Sequence, residues 1–165
     1  MTASFERASS GNLAGSGVAG VQMAEVAVDK ETGEVRMQKY VCVQDMGLIV
    51  SRKTALSQIY GAVIMGIAYA LFEERIMDPL TGAFVNAELT DYKLPRLGDI
   101  GDIVIELYEP KEEYERGVIG LGEPPVIAPG AAISNAVCNA LGVRVPILPM
   151  TPPRVIEAIQ KGGRA

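Results

Sequence analysis

The sequence contains no histidine, no tryptophan and only two cysteines. Without histidine the chain cannot assemble a Ser-His-Asp or Cys-His triad from its own residues, and a zinc site would lack its commonest nitrogen ligand. Cys42 and Cys138 stand 96 residues apart in apolar surroundings, with no CxxC partner. They read as buried thiols of a reducing compartment, and two distant cysteines cannot hold an iron–sulfur cluster. Positive charge is also scarce, with 15 Lys plus Arg against 20 Asp plus Glu, a net charge of −5 and no basic stripe. A nucleic-acid partner is excluded on that balance. The longest apolar stretch, Ile59 to Phe72, has 14 residues and contains two glycines, short of the roughly 20 that cross a membrane. The N-terminal MTASFERASSGNLAGSG lacks the basic start and apolar middle of a secretory signal. A cytoplasmic protein with no membrane contact is expected.

What the chain does have is ordinary globular composition, 165 residues of which 48% are hydrophobic, enough to bury a core without staples. Residues 1–17 read as a flexible lead-in, because glycines and serines cluster between Ser9 and Gly17. Alternating residues over 20–28 and 34–44, joined by Asp29-Lys30-Glu31-Thr32-Gly33, predict a β-hairpin. Its second arm carries a slip in period among Val35, Met37, Tyr40 and Cys42. Leu56, Ile59, Tyr60, Val63, Ile67, Ala70 and Leu71 recur at helical spacing, predicting a long buried helix over 53–73 capped by Ser51 or Thr54. Gly61 and Gly66 inside it each cost about 1 kcal/mol against alanine. Close packing or a ligand against the glycine face would offset that cost. A short second hairpin about Asp78–Gly82, an irregular stretch over 91–101 and a strand over 102–109 follow. A charged loop, PKEEYER, precedes a helix over 127–141 with a core face of Ile133, Ala136, Val137, Ala140 and Leu141. VRVPILP reads as a short extended piece, and Thr151-Pro152-Pro153 opens a last helix running to about Gln160. This order implies an α+β fold, a mixed or largely antiparallel sheet packed with helices, with one long glycine-containing helix buried at its centre.

The segment richest in chemistry is Gly117-Val118-Ile119-Gly120-Leu121-Gly122-Glu123-Pro124-Pro125. Its glycines admit close approach to the backbone, and its prolines stiffen the exit. One carboxylate, Glu123, is thereby presented from a constrained loop, as a general base requires. The residues alone also admit a plainer reading, a negative charge favoured near the start of the following helix. The paired acids Glu73 and Glu74, and the cluster Glu109, Lys111, Glu112, Glu113, Glu115 and Arg116, read as solvated surface.

Four motifs, in order, resemble one family. AEVAVDKETGEVRMQKYVCVQDMG, SQIYGAVIMGIAYALFEE, NAELTDYKLP and GLGEPP with its Ala-rich helix are similar to the C-terminal end of the molybdenum-cofactor-binding large subunit of the xanthine dehydrogenase/aldehyde oxidase family. The resemblance implies that residues 18–165 are the C-terminal portion of a molybdenum-binding subunit, incomplete relative to the family. It implies that Glu123 is the base beside the molybdenum, taking the proton of a metal-bound hydroxide as the oxygen attacks an electron-poor substrate carbon and hydride passes to a sulfido ligand. Gln58, Gly61, Gly66, Gly120 and Gly122 are implied to line the molybdenum–pterin cofactor. Tyr92 and Lys93 are expected only to orient their loop.

The chain departs from the family at Met65, where many relatives have a second glutamine, at Ser51-Arg52 in place of Asn-Pro, and at Val118-Ile119 in place of Ala-Lys. As a portion of a hydroxylase acting on an aldehyde or N-heterocycle, it implies as partners the remaining molybdenum-binding domains or subunit, an iron–sulfur subunit and a flavin subunit. It would be inactive alone, and an apolar patch should mark where the remainder docks. Two alternatives stay open: a noncatalytic interaction module of the same fold, and part of a reductive enzyme acting on an aromatic thioester.

Overall fold

The computed structural model describes residues 17–162, so the expected lead-in lies outside the described residues except for Gly17. Strands β1 (Ala19–Val28) and β2 (Val35–Asp45) form the predicted antiparallel hairpin. The Asp29 carboxylate closes its turn by accepting from the backbone N–H of Glu31 (2.9 Å) and Thr32 (3.1 Å). Gly33 turns there with φ +77°, and a Cβ would lie 2.4 Å from the carbonyl oxygen of Pro152. The period slip is a β-bulge: Glu25 pairs with Lys39 and Val26 with Met37, leaving Gln38 unmatched. Met37 and Tyr40, three apart, are therefore both buried. Strand β3 (Asp102–Leu107) pairs in parallel with β2, from Lys39 opposite Asp102 to Gln44 opposite Leu107, completing a mixed sheet in the order β1-β2-β3. The fold is α+β, as the element order implies.

Helix α1 (Arg52–Leu71) opens on Ser51, whose hydroxyl accepts from the Thr54 N–H. By length and composition alone it would pass as a membrane-crossing helix. Here Ile59, Val63 and Ile67 are fully buried beside Tyr40 and Cys42 of β2 and Ile133, Val137 and Val155 of later helices, each large aliphatic chain contributing about 1.5–3 kcal/mol by leaving water. Helix α3 (Pro129–Leu141) packs across β1 and α1, and α4 (Pro152–Gly162) closes the end, with Met150 N–H donating to the carbonyl of Ala70 (2.8 Å).

Several expectations are corrected. The second hairpin reduces to a single bridge, Met77 to Phe84, around a turn in which Asp78 accepts from Leu80 N–H (2.9 Å) and Thr81 Oγ (2.8 Å). Two lone strands do not sustain a ladder without a sheet to join. PKEEYER is not a loop but a short helix, α2 (Lys111–Arg116), with Glu112 and Glu113 in its first turn and Arg116 in its last, the distribution that suits a helix dipole. VRVPILP pairs with no strand, consistent with its two prolines. In α3, Ile133 and Val137 are buried as expected, whereas Ala140 is exposed.

The two helix glycines do not share a face. Gly66 is buried, and a Cβ there would lie 2.3 Å from Cβ of Pro129, so its lack of a side chain lets α1 and α3 touch. Gly61 is exposed with nothing within 4 Å of a notional Cβ. Gly66→Ala should therefore destabilise the chain by about 1–3 kcal/mol through overpacking. Gly61→Ala should stabilise it by about 0.5–1 kcal/mol through helix propensity. Urea titrations read both, and equal effects would contradict this division.

Candidate functional site

The Gly117–Pro125 segment is built between two anchors. At its start, the Leu48 N–H donates to the carbonyl of Gly117 (2.9 Å), and Gly47 bridges to Val118. Arg116 fixes the same end: it donates to the Asp45 carboxylate (2.7 Å), the Glu113 carboxylate and the carbonyl of Gly17 (2.5 Å). Further along, Gly120 and Gly122 take positive φ values of +87° and +58°. Between them Leu121 is buried in the core. The backbone thus dips inward at one side chain and returns outward, and Glu123 emerges exposed at the head of a single 3-10 turn, Pro124–Val126.

At its end, the segment is held by its carbonyls. Gln58 of α1 donates from Nε2 to Gly122 O (2.7 Å), Gln22 of β1 from Nε2 to Pro125 O (2.9 Å), and Tyr69 of α1 from its hydroxyl to Val126 O (2.9 Å). Tyr69 Oη also accepts the Gly130 N–H (2.9 Å), tying the turn to the start of α3. The Tyr40 hydroxyl donates to Gln22 Oε1 (2.5 Å), which orients the amide so that its NH2 faces Pro125. Burial pushes the Tyr40 hydroxyl up and the Cys42 thiol up to about 11, so both stay neutral at physiological pH.

Of the residues expected at the site, Gln58, Gly120, Gly122 and Glu123 come together, and Gly61 lies one helical turn from Gln58 on the same exposed stripe of α1. Met65 continues that stripe at 47% exposure. Gly66 does not join them, being covered by Pro129. At the other departures, Ser51 is the α1 N-cap and Arg52 pairs with Glu109. The expected solvated acids are partly structural: Glu113 is buried against Arg116, Glu73 accepts from the Tyr92 hydroxyl (2.6 Å), and Glu74 pairs with Arg154. A groove of about 1020 Å³, lined in part by Arg36, Leu71, Asn86, Tyr92 and Met150, contains none of the expected site residues.

Sequence reasoning missed Gln22, Tyr69 and Arg116. Gln22 carried a legible signal, being polar at an inward position of an alternating strand; Tyr69 and Arg116 gain their roles only from tertiary contacts.

Among the described residues no group of three or more His, Cys, Asp or Glu side chains is placed to ligate a metal. What the segment offers is open backbone, with nothing within 4 Å of a notional Cβ at Gly61, Gly117 or Gly120, beside an exposed carboxylate. Open backbone and one carboxylate make a single exposed wall, not an enclosure.

The model of the molybdopterin cofactor-binding domain matches residues 2–101. The chain belongs to that family. Among curated members, the xanthine dehydrogenase molybdenum-binding subunit of Escherichia coli O157:H7 is 38% identical over 147 residues, covering 87% of this chain and 19% of that protein. A span of that share necessarily takes in Gln58 and Glu123. The aldehyde oxidoreductase molybdenum-binding subunit PaoC of Escherichia coli K12 is 37% identical, covering 82% of the chain and 19% of its own length. The crystal structure of the aldehyde oxidoreductase from Desulfovibrio desulfuricans superposes with a TM-score of 0.74 at 36% identity, over 86% of this chain and 15% of that one. Quinoline 2-oxidoreductase from Pseudomonas putida 86 gives 0.74 at 32% identity, over 82% and 18%. The molybdopterin domain described here thus spans about a fifth of the length of the curated relatives it matches.

The upstream anchor titrates. Burial works to raise the Asp45 carboxyl, but the Arg116 guanidinium and the Gly47 N–H (3.1 Å) hold it below the usual aspartate range. Its contribution to stability is present above the unfolded value and lost as pH falls through the lowered one. Burial and Asp45 raise Glu113 instead, so its contribution favours the fold at low pH and fades as pH rises through the raised value. Asp45→Asn should flatten the acid side of the stability profile. Urea midpoints at about pH 6 and about pH 3 check this; an unchanged difference between them would exclude Asp45 as the group responsible.

Proposed function

We propose that this chain supplies the wall of a molybdenum hydroxylase site that carries the general base, Glu123, acting on an aldehyde or N-heterocycle. The observation that carries the reading is the exposed carboxylate of Glu123, which follows the positive-φ glycines Gly120 and Gly122 in a loop held through the carbonyls on either side of it. Gln58, Gly61, Gly120 and Gly122 would face the molybdenum–pterin cofactor, which when bound supplies the oxidation–reduction chemistry. The glycines let its edge lie against backbone, and Gln58, whose amide nitrogen is committed to Gly122, would present its oxygen.

Glu123 accepts, at a carboxylate oxygen, the proton that the oxygen nucleophile releases as it attacks the electron-poor carbon. It is exposed on this chain, so the desolvation that would tune it for this task has to come from the remainder of the enzyme and the substrate. The remaining molybdenum-binding region is the first partner of this reading, with iron–sulfur and flavin subunits carrying the electrons away. A docking face for the remainder is offered by the outer side of the sheet, where Val21 (63% exposed) and Met23 (55%) pair across from Val43 and Val41. Met65, an exposed apolar side chain beside Gly61, favours a second reading in which the fold is kept as a noncatalytic interaction module.

In the assembled enzyme, Glu123→Gln should leave molybdenum and pterin content intact and lower turnover by at least about 100-fold. Near-normal turnover would refute the base assignment, and an assembled complex without molybdenum or pterin would favour the noncatalytic module.

A further inference from the structure

We infer that Gln22, Gln58 and Tyr69 are positioning residues that fix the Glu123 carboxylate by gripping the backbone carbonyls on either side of it; the inference rests on the base assignment above. The reason lies in the sequence of the segment itself. Pro124 and Pro125 have no N–H, so the two residues that follow Glu123 cannot be anchored as donors, and only their carbonyls can be held. Three side chains from two elements do this. Gln58 donates to Gly122 O (2.7 Å), one residue before the carboxylate; Gln22 to Pro125 O (2.9 Å), two residues after it; and Tyr69 to Val126 O (2.9 Å), three after.

The grip is itself braced from the core. Tyr40 is fully buried and donates to Gln22 Oε1, leaving the amide NH2 only one way to face. If the amide turned over, its oxygen would oppose the Pro125 carbonyl and its NH2 would face the Tyr40 hydroxyl, so the Pro125 contact would be lost. Tyr69 is likewise fixed at both ends, donating to Val126 O and accepting from Gly130 N–H. The loop therefore inherits its position from the sheet and from α1, the two elements that hold most of the core.

Gln22→Glu provides a conservative variant with a built-in control. A protonated glutamic acid can accept from Tyr40 and donate to Pro125 O as the glutamine does; an ionised one has no donor and turns an anionic oxygen toward a carbonyl. The Tyr40 hydroxyl and the Cys42 thiol, the titratable groups that interact with Gln22, stay neutral over this range. The test measures amide hydrogen exchange in the full chain for wild type, Gln22→Glu, Tyr69→Phe and Gln58→Leu. It follows the Val126 and Ile127 amides, which bond to the carbonyls of Glu123 and Pro124. Tyr69→Phe and Gln58→Leu should speed their exchange by about tenfold or more after correction for intrinsic rates, with the β1–β2 amides unchanged. Gln22→Glu should match wild type at low pH and loosen as pH rises through the pKa of the introduced carboxyl.

In the assembled enzyme the same variants should lower kcat with KM retained. Exchange at Val126 and Ile127 within about twofold of wild type, or equal loosening of the hairpin, would overturn the inference. So would a loosened loop with normal kcat in an enzyme that Glu123→Gln inactivates. Normal turnover of Glu123→Gln would instead overturn the base assignment, and the exchange result would still decide whether the carbonyls are gripped.

Discussion

Two adjacent prolines after Glu123 remove the donors that a loop ordinarily uses to attach itself to its surroundings. The surrounding fold answers with amide and hydroxyl groups delivered to carbonyls, and this constraint accounts for the places of several otherwise unconnected residues. Gln22 has to occupy an inward position on β1, where an apolar side chain would ordinarily sit, and Tyr40 has to reach it from β2. Gln58 and Tyr69 lie eleven residues apart on α1, three turns of helix, and so meet the loop at Gly122 and Val126 respectively. Leu121 adds the apolar part of the attachment, entering the core between two glycines whose positive φ values reverse the chain on either side.

The sheet and α1 form the frame to which this loop is fastened. β2 is central, with a bulge at Gln38 that turns Tyr40, Cys42 and Gln44 inward together. Gln44 shows how polar groups are accommodated there: almost completely buried, it donates to the carbonyls of Ala19 and Asp45 (2.7 and 2.9 Å) and so closes the open end of the hairpin. Arg116 performs the corresponding task at the surface end of the loop, where one guanidinium joins β2, α2 and the backbone at Gly17. The upstream end of the loop is thus tied to β2 directly, and its downstream end is tied to β1 and α1, reaching β2 only through the contact of Gln22 with Tyr40.

Much of this was legible in the residues. The hairpin, its slipped period and the long helix follow from alternation and helical spacing and are found, and of the two caps open to that helix, Ser51 and Thr54, the fold uses Ser51. The meeting of Gln58 with the Gly120–Glu123 loop came from the resemblance to a family, since nothing local relates residues 64 apart. The misreadings share a physical origin. PKEEYER looks like solvated loop because its charges carry no apolar period; as a helix it pairs Arg116 with Glu113 three residues away and with Asp45, which only the folded chain brings near. Gly61 and Gly66 look alike in sequence, yet 500° of helical rotation separates a surface position from one beneath a proline ring.

The seat of Pro129 on Gly66 also sets a length standard. Backbone and pyrrolidine ring meet without an intervening rotatable side chain, so the separation of α1 from α3 has no rotamer through which to drift. Because α3 begins only six residues beyond Glu123, the backbone that carries this glutamate is referred to α1 through a contact with no rotatable bond, a gauge cut into the scaffold.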